Sequence, residues 1–158
     1  MTRKITSTGP DQFMLEQFLP YRLSLLSNTV SEGIAITYRT EHGLSVTEWR
    51  VIAILGRFPG QTASEVVHRT AMDKVAISRA VKKLQDKGLV ERQEHEEDRR
   101  RQPLSLTSDL GRPLYRAIIP QALDYERDLL DTLSKNEQQQ LHAIIEKLQC
   151  AADALNSG

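Results

Sequence analysis

Residues 73–107 read DKVAISRAVKKLQDKGLVERQEHEEDRRRQPLSLT, and the period of the apolar positions changes once along this stretch. Ile77, Val81 and Leu84 recur at i, i+4 and i+7, the spacing of one helix face. Asp73 stands where an N-cap is needed and Gly88 where a left-handed C′ residue closes a helix, so the pattern predicts a helix over 73–87. Lys74, Ser78, Arg79, Lys82 and Lys83 fall away from its apolar stripe. Past Gly88 the period drops to two. Leu89–Arg92 reads as one strand and Leu104–Thr107 as another, with the polar segment 93–103 forming a hairpin with a long tip. A basic helix that runs straight into such a hairpin is a helix with a β-wing.

Working upstream, Ser45-Val46-Thr47-Glu48 and Thr62-Ala63-Ser64-Glu65 each place a hydroxyl residue three positions before a glutamate. That is the capping-box spacing, in which the hydroxyl accepts from a free helix N–H and the glutamate returns to the cap's own N–H. The first box opens a helix over 45–58, carrying Trp49, Ile52, Ala53 and Leu55 and stopping near Phe58-Pro59-Gly60. The second opens a short helix over 62–70. Helix, turn, helix, tight turn, helix and hairpin in that order make a winged helix-turn-helix, bounded here as residues 44–107.

This plan has a known use. The second helix of the motif lies in a DNA major groove with its N-terminal residues at the base edges. Asp73, Lys74, Ala76, Ser78, Arg79, Lys82 and Lys83 are the candidates on that helix; Ala76 leaves room for a thymine methyl. Thr62 and Ser64, with Gln61, offer donors to phosphate at a helix N-terminus. At the hairpin tip, Asp98-Arg99-Arg100-Arg101 sets three guanidinium groups beside one carboxylate. Arginine suits a narrow, strongly negative minor groove, and the aspartate can pair with one arginine and hold the others in a reaching geometry. A solvated basic face and a charged loop tip balanced by Glu94, Glu96 and Glu97 are the plainer readings of the same residues.

The whole chain carries 21 basic and 21 acidic side chains, a net charge of zero over 158 residues. Residues 74–87 nonetheless hold five basic groups against one acidic, so the positive field is local and points to a shaped anionic partner. The flanks read as helices. Leu19, Leu23, Leu26, Val30 and Ile34 share one face of a helix over about 20–41, with Pro20 in its first turn and a separate turn at 11–18. Ser108–Leu133 reads as one long helix, roughly 39 Å, with Leu114, Ile118, Leu129 and Leu133 apolar and Pro120 expected to kink its interior. A third capping box, Ser134-Lys135-Asn136-Glu137, opens a last helix carrying Leu141, Ile144, Ile145, Leu148, Ala152 and Leu155. Such apolar faces overhang a small winged domain, and a second copy of the chain is the simplest cover. Segments 11–41 and 108–158 are accordingly expected to be dimerisation helices within a single unit of residues 1–158.

Gly88-Leu89-Val90-Glu91-Arg92, then Asp98-Arg99-Arg100, then Leu104-Ser105-Leu106-Thr107 resembles the wing signature of the multiple-antibiotic-resistance regulator (MarR) family. Leu44-Ser45-Val46-Thr47-Glu48-Trp49 resembles the segment that opens that family's second helix, and the resemblance spans roughly residues 15–155. It implies a mainly α fold, a winged helix-turn-helix with flanking dimerisation helices, about six helices and a β-wing in all, in a triangular homodimeric transcription regulator. It implies that Arg100 enters the minor groove and that Asp98 orients it. It further implies an effector crevice for aromatic acids where the dimerisation helices meet the winged domain. Tyr21, Arg22, Ser27, Trp49, Arg50 and Tyr115 are the candidates to line that crevice, an arginine suiting a carboxylate and the aromatics a ring. Each also has a structural reading: Trp49 as a core anchor, Arg22 or Arg50 in intersubunit ion pairs. The sequence departs from the family pattern at Arg101, at Pro103 on the returning strand, where a ladder donor is lost, and at Pro120.

Other classes find little support. The longest uncharged apolar stretch, Val51–Gly56, is far short of the roughly 20 residues that span a bilayer. The first ten residues lack the apolar core of a signal peptide. His42, His68, His95 and His142 are scattered, so neither a metal site nor a cofactor is expected, and no phosphate loop, serine elbow or carboxylate pair marks an enzyme. The lone Cys150 permits no internal disulfide, fits a reducing cytoplasm, and reads as a buried or interface thiol rather than a redox sensor. The sequence therefore leads to a cytoplasmic, homodimeric regulator of transcription, expected to be a repressor. Its partners would be a pseudo-palindromic DNA operator and a small effector. The alternative is a winged-helix module that presents its basic helix to an acidic protein.

Overall fold

Where the helices begin is fixed by side chains that complete the backbone's hydrogen bonds. A computed structural model describes residues 13–93 and 102–157. In it Ser45, Thr62 and Ser134 all close the expected capping boxes, heading α2 (Val46–Arg57), α3 (Ala63–Thr70) and α6 (Lys135–Asn156). Asp73 caps α4 (Lys74–Asp86), its Oδ1 accepting from the N–H groups of Val75 and Ala76 at 2.9 and 3.0 Å. α1 (Leu19–His42) has Pro20 in its first turn, where the missing donor costs nothing, and a single 3₁₀ turn, Leu15–Gln17, precedes it. β1 (Val90–Arg92), β2 (Leu104–Leu106) and α5 (Gly111–Leu130) complete the order. The mainly α fold of six helices and a two-stranded wing is thus the architecture read from the sequence. Among the described residues no helix is long and apolar enough to cross a membrane.

The chain divides into two units, 1–115 and 116–158. The first holds the core. Ile77, Ala80, Val81 and Leu84 of α4 are buried against α2 and α3, together with Val51, Ile52 and Leu55 of α2 and Val66 of α3. Only the C-terminal half of α1 joins them, through Ala35 and Tyr38. After Lys87 the chain reverses in a Schellman turn. Leu89 N–H donates to the Leu84 carbonyl and Gly88 N–H to that of Gln85, both at 2.9 Å, with Gly88 at φ +69°. The turn delivers β1 antiparallel to β2 in the register Val90↔Leu106, Glu91↔Ser105 and Arg92↔Leu104. Both strands are one residue shorter than the pattern suggested.

The wing differs from a simple hairpin in one respect. Gln61, just ahead of α3, makes an isolated bridge to Leu104, whose N–H donates to the Gln61 carbonyl at 2.8 Å. Gly60 N–H reaches both the Leu104 carbonyl and Ser105 Oγ. This third segment covers the free edge of β2, so Ser105 is buried alongside Leu104 and Leu106 despite their alternation. Pro103 sits just outside β2 and still serves the ladder as an acceptor, its carbonyl taking Gln93 N–H at 2.8 Å.

The long helix is shorter than its sequence pattern, which placed it from Ser108 to Leu133. Thr107 preempts its first turn. The Thr107 hydroxyl donates to the Gly88 carbonyl and accepts Gly111 N–H, and its carbonyl accepts Arg112 N–H, so α5 starts at Gly111. It stops at Leu130 because the chain must turn to present Ser134 as the next cap. Twenty residues make it about 30 Å long rather than 39 Å. The helix continues through Pro120, which leaves the Arg116 carbonyl without its usual intrahelical donor. In the second unit α6 buries none of its residues: Ile144 and Ile145 are each about half exposed, and Leu141, Leu148 and Leu155 are exposed with them. Cys150 is exposed too, so the thiol is not buried within a single chain.

Gly111 is the tightest point in the first unit. A Cβ there would sit 2.1 Å from the Leu89 backbone carbonyl, which the Schellman turn holds in place. Gly111→Ala is therefore expected to destabilise the protein by at least the roughly 1–3 kcal/mol of an overpacked core. A shift in the urea midpoint measures it; an unchanged midpoint would mean that the wing and α5 are not clamped together.

Candidate nucleic-acid interface

The stripe of α4 opposite its buried face is built from Val75, Ser78, Arg79 and Lys82, at i, i+3, i+4 and i+7, and all four are exposed. At 100° per residue the two stripes lie on opposite sides of one helix, so seating the apolar side in the core turns the basic side outward. Lys82 pairs loosely with Asp86 one turn on, at 3.6 Å, and this exposed contact does little to restrain it. Lys74, at the helix start, is exposed as well. Ala76 is half-buried and lies a quarter-turn toward the core. Asp73 is occupied as the cap, which directs its Oδ1 at the helix backbone rather than outward. Lys83 stands apart from the stripe, in the wall of an open cleft of about 460 Å³ that Arg39, Glu48 and Lys87 also line.

At the start of α3 the cap uses up one candidate. Thr62 Oγ1 accepts Glu65 N–H at 3.3 Å and donates to Glu65 Oε2 at 3.0 Å, while its backbone N–H goes to the same carboxylate oxygen. Ser64 is exposed in the first turn of that helix. The sequence reading missed a cationic cluster at the root of the wing. Arg69 lies 4.1 Å over the Phe58 ring and donates through Nε to Gln61 Oε1 at 2.9 Å, with Arg57 5.0 Å from the same ring. No local signal joins Phe58 to Arg69, since their meeting depends on how α2 and α3 cross. The wing tip, with Asp98, Arg99, Arg100, Arg101 and His95, lies outside the described residues.

A buried carboxylate fixes the other end of α4. Glu48, 4% exposed, takes Ser45 N–H at 2.7 Å and faces Lys87 Nζ at 3.7 Å, and Lys87 also donates to the Gly43 carbonyl at 3.2 Å. The C-terminal end of α4 is thereby tied to the corner between α1 and α2, with both ends of the lysine's reach accounted for.

The six candidates for an effector crevice fall into three groups on the single chain. Tyr21, Arg22 and Ser27 are exposed on the N-terminal half of α1. Trp49 and Arg50 of α2 meet the C-terminal half. The Trp49 ring lies 5.5 Å from that of Tyr38 at 31°, and Arg50 Nη2 donates to Ser31 Oγ at 3.1 Å. Arg22 is nine residues from Ser31, roughly 14 Å along the helix. Tyr115 packs instead over Gly56, where a Cβ would come within 2.4 Å of its ring. Among the described residues no three His, Cys, Asp or Glu side chains gather as metal ligands would.

With this geometry in place, known proteins can be set beside the chain. Residues 42–101 match the MarR family. The chain is 27% identical over 108 residues to the HTH-type transcriptional regulator BilQ of Clostridium symbiosum, an overlap covering 68% of this chain and 74% of that one. A MarR/EmrR family transcriptional regulator from Acinetobacter sp. ADP1 superposes with a TM-score of 0.81 at 28% identity, over 90% of this chain and 99% of the other. The same fold, at 20% identity and a TM-score of 0.75, occurs in Bordetella bronchiseptica BpsR, whose DNA binding is regulated by 6-hydroxynicotinic acid; 89% of this chain and 98% of that one are covered. The winged segment is thus similar in sequence to the MarR family of transcriptional regulators, a family of DNA-binding proteins, and the chain as a whole shares the fold of that family's solved structures.

Burial pushes the Tyr38 phenol up to about 12 from 10.0, although Arg39 and Arg50 pull it back. Because the folded-state value lies above the unfolded one, the stability linked to this proton is intact below pH 10 and is lost as pH rises toward 12. An absorbance titration should show one of the four tyrosines ionising late, and Tyr38→Phe should remove that phase. A late phase that survives the substitution would assign it to another ring.

Proposed function

We propose that this chain is a homodimeric, cytoplasmic repressor that binds a pseudo-palindromic operator and is released from it by a small aromatic acid. The observation that carries the reading is the α4 stripe: a hydroxyl, a guanidinium and an ammonium exposed in line on a helix whose opposite side is locked in the core. Residues 44–107 form the DNA-binding region. Arg79 and Ser78 reach base edges in the major groove, Lys74 and Lys82 neutralise phosphates, and Ser64 meets the backbone from the neighbouring helix. Lys83, on the flank, adds charge. Arg99, Arg100 and Arg101 take the adjoining minor groove, with Arg100 inserted and Asp98 orienting it.

Homodimerisation is supported by two apolar faces that a single chain leaves bare. Leu19, Leu23 and Leu26 on α1 are about half exposed, and Leu141, Ile144, Ile145, Leu148 and Leu155 of α6 are exposed as well. A second copy covers both, and segments 11–41 and 108–158 serve as the dimerisation elements. Two-fold symmetry then presents two reading heads to half-sites about one helical turn apart. Release by a small acid rests on the likeness to BpsR, with Arg22 or Arg50 as the partner of the carboxylate. A ligand of this kind acts only by binding better to a dimer whose heads are wrongly spaced.

Selection of bound fragments from a random duplex pool tests the reading and should return a two-fold symmetric site. Arg79→Ala is expected to relax preference at one position per half-site, by about tenfold in affinity for the correct base. Lys82→Ala should weaken every sequence alike and lower the salt slope by about one. Arg100→Ala should weaken binding and flatten its salt dependence. A pool that returns no preferred duplex, together with tight binding to an acidic protein, would favour the interaction module instead.

A further inference from the structure

Val75 is the one apolar member of the exposed α4 stripe, and the core does not account for it. Its side chain is 54% exposed, and its backbone N–H is already taken by the Asp73 cap. A β-branched residue in an exposed helix position has lower intrinsic helix propensity than alanine and hides no surface there. Single exposed apolar residues are common and carry no meaning by themselves. What distinguishes Val75 is its position. It is the second residue of the helix, at the N-terminal end, which in this motif is the end that reaches base edges, and it is in line with Ser78 and Arg79 one turn further along.

We infer that Val75 is a specificity-determining residue that reads the 5-methyl group of a thymine in each half-site. This rests on the reading of the chain as a sequence-specific DNA binder and goes beyond it by naming the base and the atom. In the major groove thymine alone presents an apolar group, its C5 methyl, beside the O4 acceptor. The two γ-methyls of Val75 have no hydrogen-bonding capacity, so a base edge offering donors or acceptors at that place would be desolvated without compensation. A thymine methyl meets them with mutual loss of apolar surface. Ala76, the neighbour whose small side chain the sequence suggests for this contact, is half-buried and turned toward the core, so it lies behind Val75. Ser78 and Arg79 follow on the same stripe and supply the polar contacts to adjacent bases, leaving the apolar contact to the helix tip.

The test uses the full-length protein and the symmetric duplex selected from the random pool. Each thymine is replaced in turn by deoxyuridine, which removes only the methyl group. Wild-type affinity is expected to fall about fourfold at one thymine per half-site, the effect of one buried methyl, and about fifteenfold when both half-sites are changed. Val75→Ser should bind the unmodified duplex more weakly and show no response to deoxyuridine at that position. Val75→Ile should keep the response. Circular dichroism of the variants verifies that α4 is intact, as the exposure of the site leads one to expect. Equal deoxyuridine profiles for the wild type and Val75→Ser would overturn the assignment while leaving the regulator reading in place. Failure to select any preferred duplex would overturn both.

Discussion

The burial of one helical stripe governs this molecule. Ile77, Ala80, Val81 and Leu84 of α4 are between 0 and 4% exposed, wedged against α2 and α3. Truncating one such leucine costs about 2–5 kcal/mol, a large share of the 5–15 kcal/mol that holds a domain of this size together. The helix therefore has one rotational setting about its axis. Because the residues opposite that stripe are Val75, Ser78, Arg79 and Lys82, the same burial that stabilises the domain also turns these four outward. The fold and the presentation of this basic stripe are two consequences of one packing arrangement.

Polar ties then fix the helix at both ends. Asp73 satisfies two orphan donors at its start, and Lys87, beside the buried Glu48, joins its end to the corner between α1 and α2. Thr107 gathers the end of α4, the return of the wing and the start of α5 through one hydroxyl and two backbone groups. Such contacts add little free energy each, but an unpaired buried group is expensive, so they make alternatives to this arrangement costly. The wing gains the same rigidity from Gln61, whose bridge to Leu104 removes a free strand edge.

α1 connects this rigid body to what lies outside it. Its C-terminal half belongs to the core through Ala35 and Tyr38, while its N-terminal half is exposed throughout and carries apolar residues. α1 is one continuous helix from Leu19 to His42, with no break between the two halves. The exposed half is therefore joined through one helix to the core that seats α4. The net charge of zero adds a second point: with five basic groups against one acidic gathered in residues 74–87, attraction to polyanions depends on presentation rather than on bulk charge.

Much of this could be read in the sequence because it is local. Capping boxes, the Asp73 cap, the Gly88 turn and the switch of apolar period from 3.6 to 2 are interactions among residues three to five apart, and all of them set the elements observed. The MarR resemblance rested on such local strings. What sequence could not supply were meetings between distant residues. Gln61 pairs with Leu104 by a single bridge that leaves no periodic trace, Arg69 finds Phe58 only after α2 and α3 have crossed, and Thr107 displaces the start of α5 because Gly88 lies beside it. The same distinction separates Val75 from Ala76: their side chains are adjacent in sequence, and only the rotational setting of α4 in the core decides which of them faces outward.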